Sequence, residues 1–235
     1  MNKPKIVFFT GAGVSAESGI ETFRAASNGL WNNHKIEEVA SIKGWEGNPS
    51  LVLDFYNQRR QQCLKVLPNS AHELIANLEP KFDVTVVTQN VDDLHERAGS
   101  TDVIHLHGEI LKVRSEKYSS LIYDWKKDLT IGDFCEKGYQ LRPHIVWFEE
   151  MLDESKLNLA MLHTITCDVC IVIGTSLQVY PANQIPQLVD EDAKLIIIDP
   201  EEISMDFKRE FYHIKSTATE GMKEVFEVLN KISVR

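Results

Sequence analysis

Lys5-Ile-Val-Phe-Phe-Thr10 is an apolar, β-branched run of strand length. It feeds straight into Gly11-Ala-Gly-Val-Ser15-Ala-Glu-Ser-Gly19-Ile-Glu-Thr-Phe-Arg24. A strand that breaks at Gly-x-Gly and opens a helix begins a βα unit of a parallel sheet. Such a turn can bring bare backbone N–H groups up to a diphosphate, because glycine permits the close approach and the helix N-terminus favours negative charge. The spacing departs from G-x-G-x-x-G, since Gly19 comes too late. The same glycines would also serve a turn that needs them only for geometry. Thr22-Phe23-Arg24 puts an arginine just past the turn, where a second anionic or ribosyl group can sit.

The 235 residues are 43% hydrophobic, enough for one large core plus an inserted subdomain. Apolar stretches are too short for a transmembrane helix, so no membrane association is expected. Met1-Asn2-Lys3-Pro4 leads directly into the first strand, so the expectation is a cytoplasmic protein without a signal or transit peptide. A net charge of −10 argues against a phosphate-tracking nucleic-acid surface. A monomer is the default. Cys167-x-x-Cys170 looks like half a zinc site, but it overlaps a strand-like run in which residues i and i+3 face opposite ways. Buried, reduced, structural cysteines are the better reading.

Apolar β-like runs recur at 5–10, 84–88, 103–106, 169–173 and 194–199, with a short one at 211–214. Helical patterns lie between most of them, which predicts an α/β fold with a Rossmann-like, doubly wound parallel sheet. Ser70-Ala-His-Glu73 reads as a capping box, and 219–232 as a closing amphipathic helix. Two stretches break the alternation. The expected division is a large domain from 1–24, 69–107 and 148–235, with a smaller domain formed by two insertions, 25–68 and 108–147.

Polar groups gather where the strands end, which is where open α/β sheets bind ligands. Gln89, Asn90 and Asp92 suit a ribose and a carboxamide; Asn90 or Asp92 would equally cap the short helix before Gly99. His107 closes a strand before Gly108, where an imidazole can serve as general base; a metal pair with His105 is the rival. Gly174-Thr175-Ser176 follows a buried strand and can hold phosphate or ribose. Asp199, at the end of Leu195-Ile-Ile-Ile-Asp199, suits ribose hydroxyls.

Taken together, Gly11-Ala-Gly-Val-Ser15, Gly19-Ile-Glu-Thr-Phe-Arg24, Thr88-Gln-Asn-Val-Asp92, His107-Gly108, Gly174-Thr-Ser176 and the Asp199 strand resemble the sirtuin family of NAD-dependent protein deacylases. The resemblance runs nearly from Lys5 to the last helix. It implies NAD as co-substrate, held by Gly11, Ala12, Gly13, Ser15, Ala16, Glu17, Thr22, Phe23, Arg24, Trp31, Gln89, Asn90, Asp92, His107, Gly174, Thr175, Ser176, Asp199, Glu201 and Ala218. Asn90, Asp92 and His107 would be catalytic, His107 as the base. Acyl-lysine proteins or peptides would be the substrates; nicotinamide and O-acyl-ADP-ribose would leave as products.

Asn48-Pro49 is a fair start for a helix that reaches toward Pro68. Its apolar face carries Val52, Phe55, Tyr56, Cys63, Val66 and Leu67, with Arg59 in the middle and Arg60 toward the edge. Tyr56 and Arg59, at i and i+3, can converge on one anion; an arginine that snorkels or pairs with a structural carboxylate is the alternative. The Tyr-x-x-Arg pair, with threonine at position 22, resembles the class III branch, which removes succinyl, malonyl and related acidic acyl groups. Tyr56 and Arg59 would then bind the distal carboxylate, with acetyl also accepted.

Many sirtuins hold a four-cysteine zinc in the segment matching 113–140, where this chain has only Cys135, so no zinc and no other metal is expected. Tyr118, Tyr123, Trp125, Phe134 and Tyr139 are candidates for a substitute core. Val146, Trp147 and Phe148 match the stretch that pairs with the substrate peptide, and Glu149 stands where the family usually has glycine. Glu149 and Glu150 read either as a solvated loop or as a bias toward basic flanking residues. An NAD glycohydrolase or mono-ADP-ribosyltransferase would use the same NAD pocket but need neither the peptide stretch nor the acyl pair. A non-catalytic NAD sensor would have no use for His107.

Overall fold

The computed structural model describes residues 3–21, 30–31 and 34–231, without the side chains of Leu30, Trp31, Asn230 and Lys231. In chain order, β1 (Lys5–Thr10) leads to α1 (Gly13–Ala16), and β2 (Leu30–Trp31) pairs with β3 (His34–Lys35). Helices α2 (Ile36–Val39), α3 (Ile42–Gly47), α4 (Pro49–Lys65) and α5 (Ser70–Ala76) follow. Then come β4 (Asp83–Thr88), α6 (Leu94–Ala98), β5 (Val103–His105), β6 (Gly108–Ser115), β7 (Ile122–Asp124), β8 (Leu141–Ile145) and α7 (Glu154–Ile165). The chain closes with β9 (Val169–Ile173), a 3₁₀ stretch (Ala182–Leu188), β10 (Lys194–Ile198), β11 (Tyr212–Ile214) and α8 (Ala218–Lys231).

Six strands form one parallel sheet in the order β11-β10-β9-β1-β4-β5. Because both faces are covered, its central strands are buried throughout and read as continuous apolar runs. Along β1 the side chains still divide by parity: Val7 and Phe9 enter one core with Ala160 of α7, while Ile6 and Phe8 enter the other with Ile75 of α5 and Met222 of α8. Helices on both faces make the sheet doubly wound, as expected. From β1 the chain proceeds outward through β4 and β5, then returns to build β9, β10 and β11 on the other side. The topological switch point therefore lies between β1 and β9, and the crevice outside their carboxyl ends is the natural ligand site.

A second, antiparallel sheet, β7-β6-β8, stands apart. It shares a third core with α2, α3 and α4, including Val39, Trp45, Val52, Phe55, Val113, Leu141 and Trp147. Both stretches that interrupt the strand–helix alternation thus meet in one place. Gly108 opens β6 at φ 87°, and a Cβ there would stand 2.1 Å from the His144 carbonyl oxygen, so only glycine lets β6 and β8 approach.

Several local expectations need correction. The cap of α5 is Asn69, one residue early, and His72 rather than Glu73 completes its box. Arg60 lies deeper than the helical wheel suggested, at 0% exposure, because its Nε–H donates to the Ile110 carbonyl of β6 at 3.0 Å and an Nη1–H to Asn57 at 2.7 Å. Leu67 is exposed, since α4 ends at Lys65. Cys167 precedes β9 instead of lying in it, so Cys167 and Cys170 enter the same core; all four cysteines are free and buried. Phe134 is exposed and joins no core, whereas Tyr123, Trp125 and Tyr139 pack on the third one. Tyr118 and Tyr139 stack edge-on at 5.4 Å, with Lys137 over the first ring and Lys117 over the second.

Candidate active site

The Gly-x-Gly turn after β1 abuts the turn after β9. A Cβ on Gly13 would lie 2.5 Å from the Gly174 Cα, and Gly174 itself adopts φ 60°. The Gly11 N–H donates to the Ile173 carbonyl at 3.0 Å and the Gly13 N–H to the Gly174 carbonyl at 2.8 Å. These two N–H groups are therefore not bare, contrary to the expectation for the turn. The glycines instead let two strand ends meet, which places Ser15 and Thr175 beside the ends of β4 and β5.

A buried polar net converges there. The Ser15 hydroxyl donates to Asp92 Oδ2 at 3.1 Å and accepts from the Asn90 amide at 3.1 Å. His72 Nδ1 lies 3.3 Å from the Asn69 backbone nitrogen and 3.1 Å from Asn69 Oδ1, and its Nε2 lies 3.5 Å from Ser15 Oγ. Thr10 donates to Thr88 at 2.8 Å, leaving its own oxygen to accept from His95 Nε2 at 3.1 Å. Thr88 in turn accepts the Asn90 N–H at 3.0 Å. Asp92 also caps α6 through the Leu94 N–H at 3.2 Å, so the cap reading and the site reading use different oxygens of one carboxylate. Burial raises the Asp92 pKa against the opposing pull of the Leu94 and Ser15 hydrogen bonds. Burial lowers His72 to about 4, and burial together with the charges of His72 and His105 lowers His95 well below the ordinary histidine value.

The two histidines of β5 and its exit divide sharply. His105 Nδ1 meets the Asn90 carbonyl at 3.0 Å and Nε2 meets Glu96 at 2.7 Å. Both partners accept, so both nitrogens donate and the ring is cationic. Burial opposes that charge, but the Glu96 hydrogen bond and charge and the Asn90 carbonyl outweigh it and raise the pKa. Among the described residues, the His107 ring hydrogen-bonds to the Gln89 carbonyl alone, at 3.0 Å through Nδ1. That fixes the tautomer with the lone pair on Nε2. Burial lowers its pKa against the pull of that carbonyl, which keeps it neutral near pH 7. His105 has no lone pair to give a metal, and the described residues contain no group of three or more metal-ligating side chains.

Gln89 donates to Thr175 Oγ1 at 2.9 Å, linking the ends of β4 and β9. Asp199 is 2% exposed; its Oδ1 accepts the Glu201 N–H at 3.0 Å, and its carbonyl accepts from His213. Ala218 opens α8. The Glu17 carboxylate accepts the Thr219 N–H at 3.0 Å and hydroxyl at 2.7 Å, so it serves the start of α8. Ala12 and Ser176 lie on the same two turns, and Ala16 ends α1. Thr22, Phe23 and Arg24 lie outside the described residues, as does the side chain of Trp31.

On the far side, Asn48 caps α4 and Pro49 occupies its first turn, as the sequence predicts. Tyr56 and Arg59 are both buried, and the Tyr56 Oη accepts the Trp147 indole N–H at 3.0 Å. The Arg59 guanidinium lies 4.9 Å from the Phe55 ring centroid; burial lowers its pKa to about 10 against the charges of Tyr56 and Glu21, so it stays cationic. The N–H groups of Val146, Trp147 and Phe148 are taken by His107, Glu150 and Ala40. Glu149 adopts φ 71°, and Glu150 is no solvated loop residue: it pairs with Arg142 and Arg114 at 2.8 Å each.

Thr10, Thr88, His72 and His95 escaped the sequence reading. For His72 a signal existed: it shares a helical face with Ala71, Ile75 and Leu78, where a polar side chain needs a partner.

The Sir2 family model matches residues 11–181. An NAD-dependent protein deacylase of Helicobacter pylori is 48% identical over 224 residues, covering 95% of this chain and 96% of its own. A namesake from Bacteroides thetaiotaomicron is 44% identical over 230 residues, covering 95% and 97%. Among solved structures, a mutant Sir2 homologue in complex with ADP-ribose superposes with TM-score 0.89 at 38% identity, covering 99% of this chain and 95% of that one. A Sir2 homologue–NAD complex gives TM-score 0.87 at 39% identity, covering 97% and 90%. The family match takes in the glycine turn, the Asn90–Asp92 strand end and His107, and the relatives run nearly end to end; the chain belongs to the Sir2 family.

Proposed function

We propose that this chain is an NAD-dependent protein-lysine deacylase that prefers acidic acyl groups, succinyl and malonyl, and also takes acetyl. The observation that carries the activity is the pairing of a neutral, single-tautomer His107 with the Asn90–Asp92–Ser15 net at the topological switch point. The residues there fit NAD: the close approach of the two glycine turns brings Ser15 and Thr175 beside the strand ends, and the buried amide and carboxylate of Asn90 and Asp92 suit a ribose and a carboxamide. When bound, NAD supplies the ribosyl carbon that accepts the acyl oxygen and the nicotinamide that leaves.

Asn90 and Asp92 orient the ribosyl end, and Ser15 holds both in register. Gln89 and Thr175 bridge the crevice, and the NAD-binding set is completed by Ala12, Ala16, Glu17 and Ser176 and, on the family resemblance alone, by Thr22, Phe23, Arg24 and Trp31. Asp199, Glu201 and Ala218 take the adenosine end. His107 Nε2 receives the proton of a ribose hydroxyl, its Nδ1–H held by Gln89 throughout. Burial helps exclude the water that would otherwise compete as nucleophile. Val146, Trp147 and Phe148 form the stretch that the substrate peptide lies along; the Trp147 carbonyl already accepts the Glu150 N–H at 3.0 Å, and Val146 offers its carbonyl to the N–H groups of the peptide.

Tyr56 and Arg59 face the acyl chain from α4 and hold its distal carboxylate; a charge-assisted bond of roughly 1.5–3 kcal/mol gives about tenfold to a hundredfold preference. The small sheet and the helices α2–α4 form a domain of their own, from 25–68 and 108–147, and hold together without zinc. The protein acts in the cytoplasm as a monomer on acyl-lysine proteins.

The test is mass spectrometry of one lysine peptide in succinylated and acetylated forms, with and without NAD. Succinyl loss should need NAD and outpace acetyl loss, and Arg59→Met should lower the succinyl-to-acetyl ratio at least tenfold. An unchanged ratio would remove the carboxylate role. Nicotinamide release without acyl peptide would make the chain a glycohydrolase.

A further inference from the structure

Trp147 is held through both its ring and its backbone. The Arg142 guanidinium lies 3.3 Å from its ring centroid, and Trp45 packs against it at 5.7 Å. Its backbone N–H donates to Glu150 Oε2 at 2.8 Å. Glu150 also accepts from Arg142 at 2.8 and 2.9 Å, and Arg142 donates to the Ile145 carbonyl at 3.1 Å. Both the ring and the backbone of residue 147 are thereby pinned. What this restraint aims is the indole N–H, 3.0 Å from Tyr56 Oη.

An indole nitrogen only donates, whereas a phenol has one proton to give and lone pairs to receive. The bond to Trp147 occupies the accepting side of Tyr56 and leaves its proton unspent. Among the described residues the phenol donates no hydrogen bond. The guanidinium of Arg59, one turn along α4, carries N–H donors and no acceptor atom.

We propose that Trp147 is a specificity-determining positioning residue: by filling the accepting side of the Tyr56 hydroxyl it commits that phenol to donate, so that Tyr56 and Arg59 together present only donors to the acyl terminus. This rests on the reading of α4 as the acyl pocket. A carboxylate, which only accepts, satisfies such a pair; an isosteric carboxamide, which must also place an NH₂ group, does not. Trp147 acts through Tyr56, and its effect is on the choice between the two acyl termini.

The experiment compares kcat/KM on one peptide bearing succinyl-lysine or its terminal carboxamide analogue. Trp147→Phe keeps an aromatic ring and removes the donor; the phenol is then free to turn and accept from the carboxamide. The succinyl-to-carboxamide ratio should fall about tenfold, the size of one hydrogen bond to a charged group. Tyr56→Phe should lower it similarly, and the double variant should fall no further. Replacing Trp147 by 3-benzothienylalanine, which keeps the bicyclic shape and exchanges N–H for sulfur, should reproduce the loss even if Trp147→Phe packs poorly. The ratio is internal to each preparation, so a partly unfolded sample does not alter it. A ratio within twofold of the parent in the benzothienyl variant overturns the inference. If Arg59→Met still lowers the ratio in that event, the acyl pocket stands and only the role of Trp147 falls; if Arg59→Met leaves it unchanged as well, both fall.

Discussion

The proposed cofactor side and the proposed acyl side of this molecule are both buried and both polar, but they are built from opposite materials. At the edge of the parallel sheet, the net uses short side chains: Thr10, Thr88, Ser15 and Asn90, with neutral His72 and His95 behind them. Each group sits one bond from a strand or a turn, so backbone register alone sets the geometry, and Thr10 faces Thr88 because β1 pairs with β4. Under the small sheet, the polar groups are long cations among aromatic rings: Arg59 by Phe55, Arg60 on the Ile110 carbonyl, Arg142 on Trp147. The first arrangement suits a cofactor that never changes. The second places charge at the end of flexible stems, where one substitution can redirect specificity without disturbing the sheet.

The largest effect expected from this contrast comes from removing the carboxylate that anchors Arg142 and Arg114 under the small sheet. Glu150 holds Arg142 and Arg114, with side-chain exposures of 14%, 8% and 15%. Burial opposes its charge, but the Arg142 hydrogen bond and the charges of both arginines keep its carboxyl below the usual range. Glu150→Ala strands the buried Arg142 guanidinium and the half-buried Arg114 and should cost about 3 kcal/mol of stability in urea unfolding. The KM for acyl peptide should rise while the KM for NAD stays within about twofold, since no atom of the parallel sheet's net touches Glu150. An equal rise in both constants would show that the two sides are not separable.

On the cofactor side the comparable lever is acid. His72 titrates near 4 in the fold and near 6.5 when unfolded. Between those values the unfolded chain binds more protons, so stability falls as pH drops through that window and the loss is complete below about 4. From about pH 7.5 to pH 5 the loss from His72 amounts to about 2 kcal/mol. His95 adds in the same direction. His105, whose pKa is raised, works the other way and contributes most below its unfolded value. Thermal melts across this range should show the decline, and His72→Gln should flatten it. A melting curve as steep in the variant as in the parent would place the acid sensitivity elsewhere.

Much of this fold was legible because β1 and β9 are buried on both faces and so announce themselves as unbroken apolar runs. The strand ends were legible for the same reason: polar residues such as Asn90 and His107 stand out directly after such a run. The net behind them was not, since Thr10 and Thr88 are ordinary strand residues until register puts them 2.8 Å apart. On α4, periodicity named the buried face but could not say which arginine found a partner, because the Ile110 carbonyl that holds Arg60 lies fifty residues away in sequence. Glu150 read as half of a loop pair for the same reason; both its arginines belong to strands of the small sheet. Local pattern reports which side chains are buried, and long-range partners decide what they do there.

The smallest effect concerns the neighbour of Glu150. Glu149 holds φ 71°, a left-handed conformation that costs a residue with a Cβ roughly 1 kcal/mol relative to glycine. Its carboxylate is 61% exposed and reaches Lys43 only at 3.9 Å, a surface pair of little value. The strain is therefore not repaid by its side chain, and the turn persists because Glu150 and the Phe148 N–H on the Ala40 carbonyl hold it from both ends. Glu149→Gly should raise stability, by less than about 1 kcal/mol, because glycine also gains freedom in the unfolded chain. Deacylation of peptides with basic flanking residues provides the second readout. If their KM rises in the variant while the melting temperature does not, the carboxylate is retained at a strained position for peptide recognition; a higher melting temperature with unchanged KM makes the strain incidental to the acyl side and leaves its geometry to Arg142, Glu150 and Trp147.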